Sequence, residues 1–219
     1  RKIIIVLIMF IAATSGLPAD GCTLFAATGE EYVKGGGTLI AKVRDWAPQC
    51  NDVKYFAHKG KYKFYTIIAD DDSFNMAPRG GVNEQGLAIV TASASSVPKK
   101  ELRQINNKGN VILDLLSECG NVEEAIGHIR GYRGQYLLLA DRNEIAIVEI
   151  SPKGIPMAKC TANGNLYHTN HYIFNECRQY NRKLGESSLA RYDRIGDLLR
   201  QTQHPYTIED FIRFSEDRS

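Results

Sequence analysis

Short alternating or unbroken apolar runs recur along much of the chain, a pattern typical of β-strands. Glycine-rich and polar segments separate these runs, so neighbouring runs are predicted to pair as hairpins. The predicted strands cover residues 23–27, 38–44, 54–58, 62–68, 87–92, 135–140, 144–150 and 166–170. Glycines bracket a predicted tight turn at residues 80–86, and residues 97–108 read as a polar loop.

Apolar residues three and four positions apart indicate helices between and after these strands. Asn110 is a predicted helix cap, and Asn121 with an acidic residue three positions later resembles a capping box. Residues 187–199 are amphipathic, and Thr207 is a predicted cap of a last short helix. The order of strands, helices, strands and helices favours an α+β layered sandwich over a repeated βαβ unit.

The start of the chain has the pattern of a secretory signal peptide. Two basic residues precede an apolar run at residues 3–13, which is too short to span a bilayer comfortably. Ala19 and Gly21 then supply small residues at positions −3 and −1 of a cut before Cys22. We therefore predict a signal peptide over residues 1–21. A membrane anchor and a lipoprotein with a lipid-modified Cys22 are the alternatives.

The remaining residues, 22–219, are long enough for one domain with a sizeable core. The formal charge is +2, so the composition indicates neither nucleic acid nor an anionic membrane surface as a partner. A signal peptide predicts an exported protein, periplasmic or extracellular. The sequence leaves open whether the protein forms a homo-oligomer.

Five cysteines can be oxidised if the protein is exported. With Cys22 reserved for chemistry, Cys50, Cys119, Cys160 and Cys177 allow three pairings. The pair nearest in sequence, Cys160 with Cys177, is the favoured disulfide. Four reduced cysteines are the alternative.

A cut before Cys22 would place a thiol and a free α-amine on one residue. A nucleophile beside its own base is a known catalytic arrangement, and an unperturbed α-amine has a pKa of about 7.7–8.0. Acyl transfer also requires oxyanion donors and groups that orient the nucleophile.

The first predicted hairpin returns three charged residues towards Cys22. Asp45 can hold the α-ammonium, while Lys42 or Arg44 can stabilise a thiolate or bind a substrate carboxylate. Because successive positions of a strand alternate between faces, we expect only one of the two cations to face the site.

Asn83 and Asn170 are amides of the kind that form oxyanion holes, and Arg191 near a helix start can approach the thiolate. Each also has an ordinary structural role, since Asn83 can simply form a turn and Arg191 can be a solvated helix charge. His168 and His171 do not indicate a metal site, because residues three apart on a strand point to opposite faces. No metal or cofactor is predicted.

Five motifs occur in order: CTLFAA at 22–27, KVRDW at 42–46, GVNEQGL at 81–87, HTNHY at 168–172 and SLARY at 188–192. Together they resemble the N-terminal-nucleophile hydrolases that act on linear amides. This group includes penicillin V acylase, choloylglycine hydrolase and isopenicillin-N acyltransferase.

The resemblance implies a four-layer αββα sandwich with two antiparallel sheets between helical layers. It implies that Cys22 is nucleophile and base and that Asp45 contacts its amine. It also implies that Asn83 and Asn170 form the oxyanion hole and that Arg191 lies near the thiol.

The sequence departs from this group in two ways. Bile salt hydrolases carry an arginine three residues before the aspartate, where this chain has Lys42, and lysine is a point charge without arginine's bidentate fork. Members of the group also have further C-terminal strands, so we expect this chain to lack part of the sandwich.

The sequence therefore predicts an exported amidase that hydrolyses a small-molecule linear amide through an acyl-thioester on Cys22. An N-acyltransferase using the same thioester is one alternative, and a non-catalytic surface lipoprotein or binding module is another. The sequence does not decide whether signal peptidase or self-cleavage makes the cut.

Overall fold

The computed structural model describes residues 21–45, 50–57, 59–69, 77–102 and 108–217. The predicted leader, apart from Gly21, and the Trp46 of the second motif lie outside these ranges. The signal peptide and the single domain over residues 22–219 therefore stay predictions. Within the described part of the chain, no helix has the length and apolarity needed to cross a membrane.

The described residues form ten strands and six helices. The strands are β1 Gly21–Thr28, β2 Thr38–Asp45, β3 Asn51–Phe56, β4 Phe64–Ala69, β5 Ala77–Asn83, β6 Ala88–Ser93, β7 Gln135–Ala140, β8 Ile145–Ile150, β9 Pro156–Thr161 and β10 Gly164–His168. The helices are α1 Lys99–Leu102, α2 Val111–Glu118, α3 Val122–His128, α4 Asn175–Arg178, α5 Glu186–Gln201 and α6 Ile208–Glu216.

The strands form two antiparallel sheets. The small sheet has the order β10-β1-β2, and the large sheet has the order β3-β4-β5-β6-β7-β8-β9. One hydrophobic cluster lies between the large sheet and helices α2 and α3, and a second fills the space between the sheets. A third lies between the small sheet and helices α5 and α6. The predicted α+β fold with four αββα layers is confirmed.

Strand β1 is buried along its whole length because both of its faces are covered. Leu24 and Ala26 pack between the sheets, while Phe25 and Ala27 pack against α5 and α6. This alternation has the period of two expected for a strand. Cys22 therefore lies on the face of β1 that points to the large sheet, and it belongs to the cluster between the sheets.

The three predicted cap residues are confirmed, but Glu124 accepts from the Gly120 N–H and so does not complete the predicted capping box with Asn121. Asn110 and Asn121 accept hydrogen bonds from backbone N–H groups at the starts of α2 and α3. Thr207 and Asp210 form a reciprocal capping box at the start of α6. Such caps satisfy backbone donors that the first helical turn leaves unpaired.

Three elements differ from the sequence-based expectation. Gly80 and Gly81 lie within β5, and the turn begins only at Asn83. A Cβ on Gly81 would lie 2.4 Å from the Tyr65 carbonyl oxygen, so this glycine serves close strand packing. Helix α1 lies in the predicted polar loop. Strand β9 was not predicted because none of its residues is buried and they lack an apolar pattern.

The favoured disulfide between Cys160 and Cys177 is wrong, because all five cysteines are free. Cys160 is exposed on β9, whereas Cys177 is fully buried on α4. Burial, together with the neighbouring Glu149 carboxylate, raises the pKa of the Cys177 thiol to about 12. A thiol with this pKa stays protonated and unreactive at neutral pH.

Candidate active site

Cys22 lies near the start of β1, the central strand of the small sheet. Its cross-strand neighbour on β2 is Arg44. The residue is largely buried among apolar side chains of the space between the sheets. This position gives the thiol a protected, low-dielectric environment on one face of the strand.

The backbone nitrogen of Cys22 is held by a side-chain amide. Its N–H donates to Asn170 Oδ1 at 2.7 Å, just beyond the end of β10. Asn170 Nδ2 donates in turn to the Ser93 carbonyl oxygen at 2.9 Å, at the end of β6. These two partners assign the amide orientation, because an acceptor must face the N–H and a donor must face the carbonyl. The nitrogen held here is the one that would become the α-amine after a cut before Cys22.

Arg191 on α5 joins the same group from the outer side of the small sheet. Its guanidinium donates to the Cys22 carbonyl oxygen, to Thr23 Oγ1 at 3.2 Å and to Asn170 Oδ1 at 3.0 Å. One planar cation thus fixes both the backbone at Cys22 and the amide that holds its nitrogen. Arg191 contacts the residue through its backbone, whereas the sequence predicted an approach to the thiolate.

Gly21 packs directly against this guanidinium. A Cβ built on Gly21 would lie 2.1 Å from a terminal nitrogen of Arg191. Asp45 is the cross-strand neighbour of Gly21 on β2. Burial lowers the pKa of Arg191, and the Cys22 thiol and the Asp45 carboxylate act in the opposite direction. The predicted contact between Asp45 and the α-amine stays a prediction.

Lys42 and Arg44 both lie on the face of β2 that points to the same side of the small sheet as Cys22. The register pairs Lys42 with Leu24 and Arg44 with Cys22, and directly paired residues point to the same side of a sheet. The expectation that only one cation faces the site is therefore wrong. The two residues are two positions apart on one strand and so share a face.

Lys42 is fully buried, and its ammonium donates to the Arg79 carbonyl oxygen on β5 at 2.9 Å. Burial lowers the pKa of Lys42 to about 8, the Cys22 thiol opposes this, and Arg79 and Arg44 reinforce it. Burial and Arg79 likewise lower the pKa of Arg44, again opposed by Cys22. Three positive groups therefore act on one another and on the thiol within this part of the space between the sheets.

Arg79 is a member of this cationic group that sequence reasoning missed. Its Nε is buried, and within the described ranges it has no hydrogen-bond partner. Its position next to Gly80 and Gly81 suggested a turn, and the chain gave no signal that β5 lies opposite β2.

Ser188 at the start of α5 holds the backbone of Asn170. Its hydroxyl accepts from the Asn170 N–H at 3.0 Å and lies 2.8 Å from His171 Nδ1. Thr169 Oγ1 donates to the Ser188 carbonyl oxygen at 2.9 Å. Burial lowers the pKa of His171, with a smaller contribution from His168, so the ring that bonds to Ser188 is neutral at neutral pH. This network ties the segment of Asn170 to the helix of Arg191.

His168 and His171 have separate hydrogen-bond partners. His168 Nε2 lies 2.9 Å from the fully buried Glu149 carboxylate on β8. Glu149 also accepts from the backbone N–H groups of Ile173 and Phe174. Across the described residues, no three potential metal ligands converge.

Asn83 differs from the expectation of an oxyanion donor. Its Nδ2 donates to the carbonyl oxygens of Leu116 and Cys119 at 3.0 and 2.7 Å, at the end of α2. Its Oδ1 accepts from the N–H groups of Gln85 and Leu87. The carboxamide is thus fully engaged between β5, its turn and α2, on the face of the large sheet opposite Cys22.

Ser93 and Ser188 also escaped the sequence analysis. Ser93 ends an apolar strand, and a serine in that position has no distinguishing signal. Ser188 lies three residues before Arg191, so one helical turn connects them. That spacing was visible in the sequence and was the signal that could have identified Ser188.

Residues 33–219 match the model of the family described as acyl-coenzyme A:6-aminopenicillanic acid acyl-transferase. No curated protein matches the chain significantly. Among solved structures, a variant of conjugated bile acid hydrolase from Clostridium perfringens aligns with a TM-score of 0.47 and 13% identity. That alignment covers 90% of this chain and 70% of the other. The family match over most of the chain confirms the resemblance to N-terminal-nucleophile hydrolases acting on linear amides.

Proposed function

The chain belongs to the acyl-coenzyme A:6-aminopenicillanic acid acyl-transferase family, and we propose that it is an amidase that uses Cys22 as an N-terminal nucleophile. The observation that carries the proposal is the 2.7 Å hydrogen bond between the Cys22 nitrogen and Asn170 Oδ1. An acceptor at this place would hold an α-amine beside the thiol that it must deprotonate.

The reaction would proceed through an acyl-thioester. The α-amine takes the thiol proton, Sγ attacks the amide carbonyl carbon, and the C–N bond breaks as the amine leaves with that proton. Water then attacks the thioester, and the thiol and a carboxylic acid are released. No oxidant, reductant or metal takes part in this sequence of steps.

The charged residues of β2 would support the thiolate. Lys42, with a pKa of about 8, is mostly protonated at neutral pH, and Arg44 adds a second positive charge. These positive charges would attract the negative charge on Sγ once the α-amine has taken its proton. Asn170 Nδ2 also donates to Ser93 Oγ at 3.5 Å, and a tetrahedral oxyanion would compete for this long hydrogen bond.

An N-acyltransferase is the second candidate, because the description of the family names an acyl-transferase. Hydrolysis and transfer share the thioester and differ only in whether water or an amine attacks it. Added amine acceptors would divert the acyl group in a transferase and leave the hydrolytic product unchanged in an amidase.

Replacement of the nucleophile tests the proposal. Cys22→Ala is expected to abolish turnover of a panel of N-acyl amides, and intact mass spectrometry is expected to find Cys22 at the mature N-terminus. The same measurement with a slow substrate should detect an added acyl mass on the wild-type protein alone. Unchanged turnover by Cys22→Ala, or a lipid on Cys22, would exclude the mechanism.

An exported protein is part of this proposal, since the predicted leader ends where the nucleophile begins. Fractionation of cells that express the full chain would locate the processed form. Processed protein found only inside the cell would exclude export while leaving the chemistry of Cys22 to its own test.

A further inference from the structure

Strand β8 carries one acidic residue, Glu149, and every position of this strand is buried. Its neighbours Val148 and Ile150 pack against α2 and α3, whereas Ile147 packs between the two sheets. Because side chains alternate along a strand, Glu149 shares the face of Ile147 and points into the space between the sheets, where Cys22 also lies. A carboxylate in such surroundings is destabilising unless it is paired and hydrogen-bonded, so its partners indicate why it is retained.

The partners of Glu149 lie on both sides of one short segment, residues 169–172. Before this segment, His168 Nε2 at the end of β10 lies 2.9 Å from Glu149 Oε1. After it, the backbone N–H groups of Ile173 and Phe174 donate to the same carboxylate. One side chain of the large sheet therefore anchors both ends of a segment that leaves the small sheet.

The ring of His168 donates at both of its nitrogens. Nδ1 lies 2.9 Å from the Thr169 carbonyl oxygen, which can only accept, so Nδ1 carries a hydrogen. Nε2 faces the Glu149 carboxylate, which also accepts from two backbone N–H groups. These contacts assign the cationic form of the ring, so the pair is a buried ion pair that joins β8 to β10.

The anchored segment carries Asn170, whose Oδ1 accepts from the Cys22 N–H at 2.7 Å. Ser188 accepts from the Asn170 N–H, and the Ser93 carbonyl oxygen accepts from Asn170 Nδ2. These contacts fix Asn170 itself, and Glu149 fixes the backbone on either side of it. Hydrogen bonds weaken steeply with misalignment, so a shift of the segment by about 1 Å would separate the carboxamide from the Cys22 nitrogen.

We propose that Glu149 is a positioning residue for the reaction at Cys22, because it holds the segment that carries Asn170. This inference rests on the proposed function, since turnover reports on Asn170 only if Cys22 is the nucleophile. Glu149 acts through the backbone of residues 169–172 and not on the reacting atoms. Its replacement should therefore slow the chemical step and leave substrate binding nearly unchanged.

The kinetics of Glu149→Gln and of a matched variant, Asp141→Asn, test this role. Asp141 is a second buried carboxylate that accepts three backbone N–H groups, at the start of α3 and in the turn between β7 and β8. Glu149→Gln is expected to lower kcat on an N-acyl amide by about 10–100-fold, with KM within about threefold of wild type. Asp141→Asn should keep kcat within about twofold of wild type. An equal fall in both variants, or a Glu149→Gln kcat within about threefold of wild type, would overturn the proposal.

A double variant, Glu149→Gln/Asn170→Ala, separates positioning from a general loss of structure. Its kcat should lie within about threefold of that of Asn170→Ala, because the carboxamide that Glu149 positions is already absent. Losses that multiply would overturn the proposal.

His168→Gln repeats this cycle should Glu149→Gln fail to fold. It keeps a donor towards Glu149 and loses the hydrogen bond to the Thr169 carbonyl oxygen. It is expected to lower kcat by about tenfold alone and by less than about threefold in the Asn170→Ala background. A loss of the same size in both backgrounds would likewise overturn the proposal.

Hydrogen exchange in a Cys22→Ala background separates this inference from the proposed chemistry, because it requires no turnover. Mass spectrometry of peptides over residues 168–174 should show exchange at least about tenfold faster when Glu149→Gln is added, since one carbonyl oxygen replaces a carboxylate that serves three donors. Asp141→Asn in the same background should leave these peptides unchanged. Unchanged exchange with Glu149→Gln would overturn the positioning role even if Cys22 proves to be the nucleophile.

Discussion

Two groups of polar residues flank Cys22, one on the side of β10 and α5 and the other on the side of β2 and β5. They differ in the hydrogen-bond partners of their polar atoms. On the first side, Asn170 and Ser188 form hydrogen bonds through neutral groups, and one arginine closes the set. On the second side, Lys42 is buried with one carbonyl partner beside two arginines that lower its pKa.

The difference indicates that one side contributes to both stability and function, whereas the other contributes to function at the expense of stability. Hydrogen bonds such as those of Asn170 and Ser188 stabilise the fold and the geometry together. Buried like charges oppose folding, and their retention is expected where function requires them. Substitutions on the first side should therefore lower activity and stability together, and replacement of Lys42 on the second side should lower activity while raising stability.

The largest effect is expected from Asn170→Ala. This change leaves the Cys22 nitrogen without its acceptor and removes a candidate oxyanion donor, so kcat should fall by about 10²–10³. Steady-state kinetics on an N-acyl amide measures the loss. Asn165→Ala, on strand β10 shortly before Asn170 and bonded to Tyr206, is the control and should retain near-wild-type kcat. A kcat within about threefold of wild type for Asn170→Ala would remove the neutral side from the mechanism.

Lys42→Met tests the charged side of the site, formed by β2 and β5. The variant should be more stable by about 2 kcal/mol at neutral pH, because it no longer buries an ammonium, while kcat/KM falls. The pKa of Lys42 is lowered from 10.5 to about 8 in the folded state, so the unfolded chain binds more protons between these values. Wild-type stability should therefore rise between pH 8 and 10.5, and the variant should lack this rise.

Urea unfolding at several pH values measures both parts of that prediction. Lys159→Met, which replaces an exposed lysine on strand β9, is the matched control and should leave stability and its pH dependence unchanged. A Lys42→Met protein that is less stable than wild type would show that the buried ammonium stabilises the folded protein.

The smallest effect concerns His171. Burial lowers the pKa of His171 below its ordinary 6.5, so the unfolded chain is protonated first as the pH falls. The part of stability that depends on a neutral His171 should thus be present above pH 6.5 and be lost below it. His171→Gln should reduce this acid-side loss, by about 1 kcal/mol or less, in thermal unfolding from pH 7 to 5. His204→Gln, at an exposed histidine, should leave the loss unchanged.

The sequence was sufficient for the layers of the fold because burial follows local pattern. Strand β1 and the capped helices α2, α3 and α6 each combine apolar periodicity with a turn or capping residue. Strand β9 is exposed and was therefore missed. Gly80 and Gly81 were assigned to a turn, because the local sequence does not distinguish a turn glycine from a glycine that packs closely against a neighbouring strand.

The site was only partly predictable for a related reason. Cys22, Asn170 and Arg191 could be grouped through the family resemblance, and the structure brings all three together. Asn83 was placed in the same group, yet its neighbour Val82 faces the space between the sheets while its own carboxamide faces α2. One position along a strand reverses the face, and the sequence alone does not give that register.

Arg191 also constrains the residue that precedes the nucleophile. The guanidinium occupies the volume that any side chain at position 21 would enter, and its three hydrogen bonds resist displacement. The guanidinium that holds the Cys22 backbone therefore also restricts which residue can precede Cys22 in the uncut chain. Changes at position 21 and changes at Arg191 should consequently depend on each other.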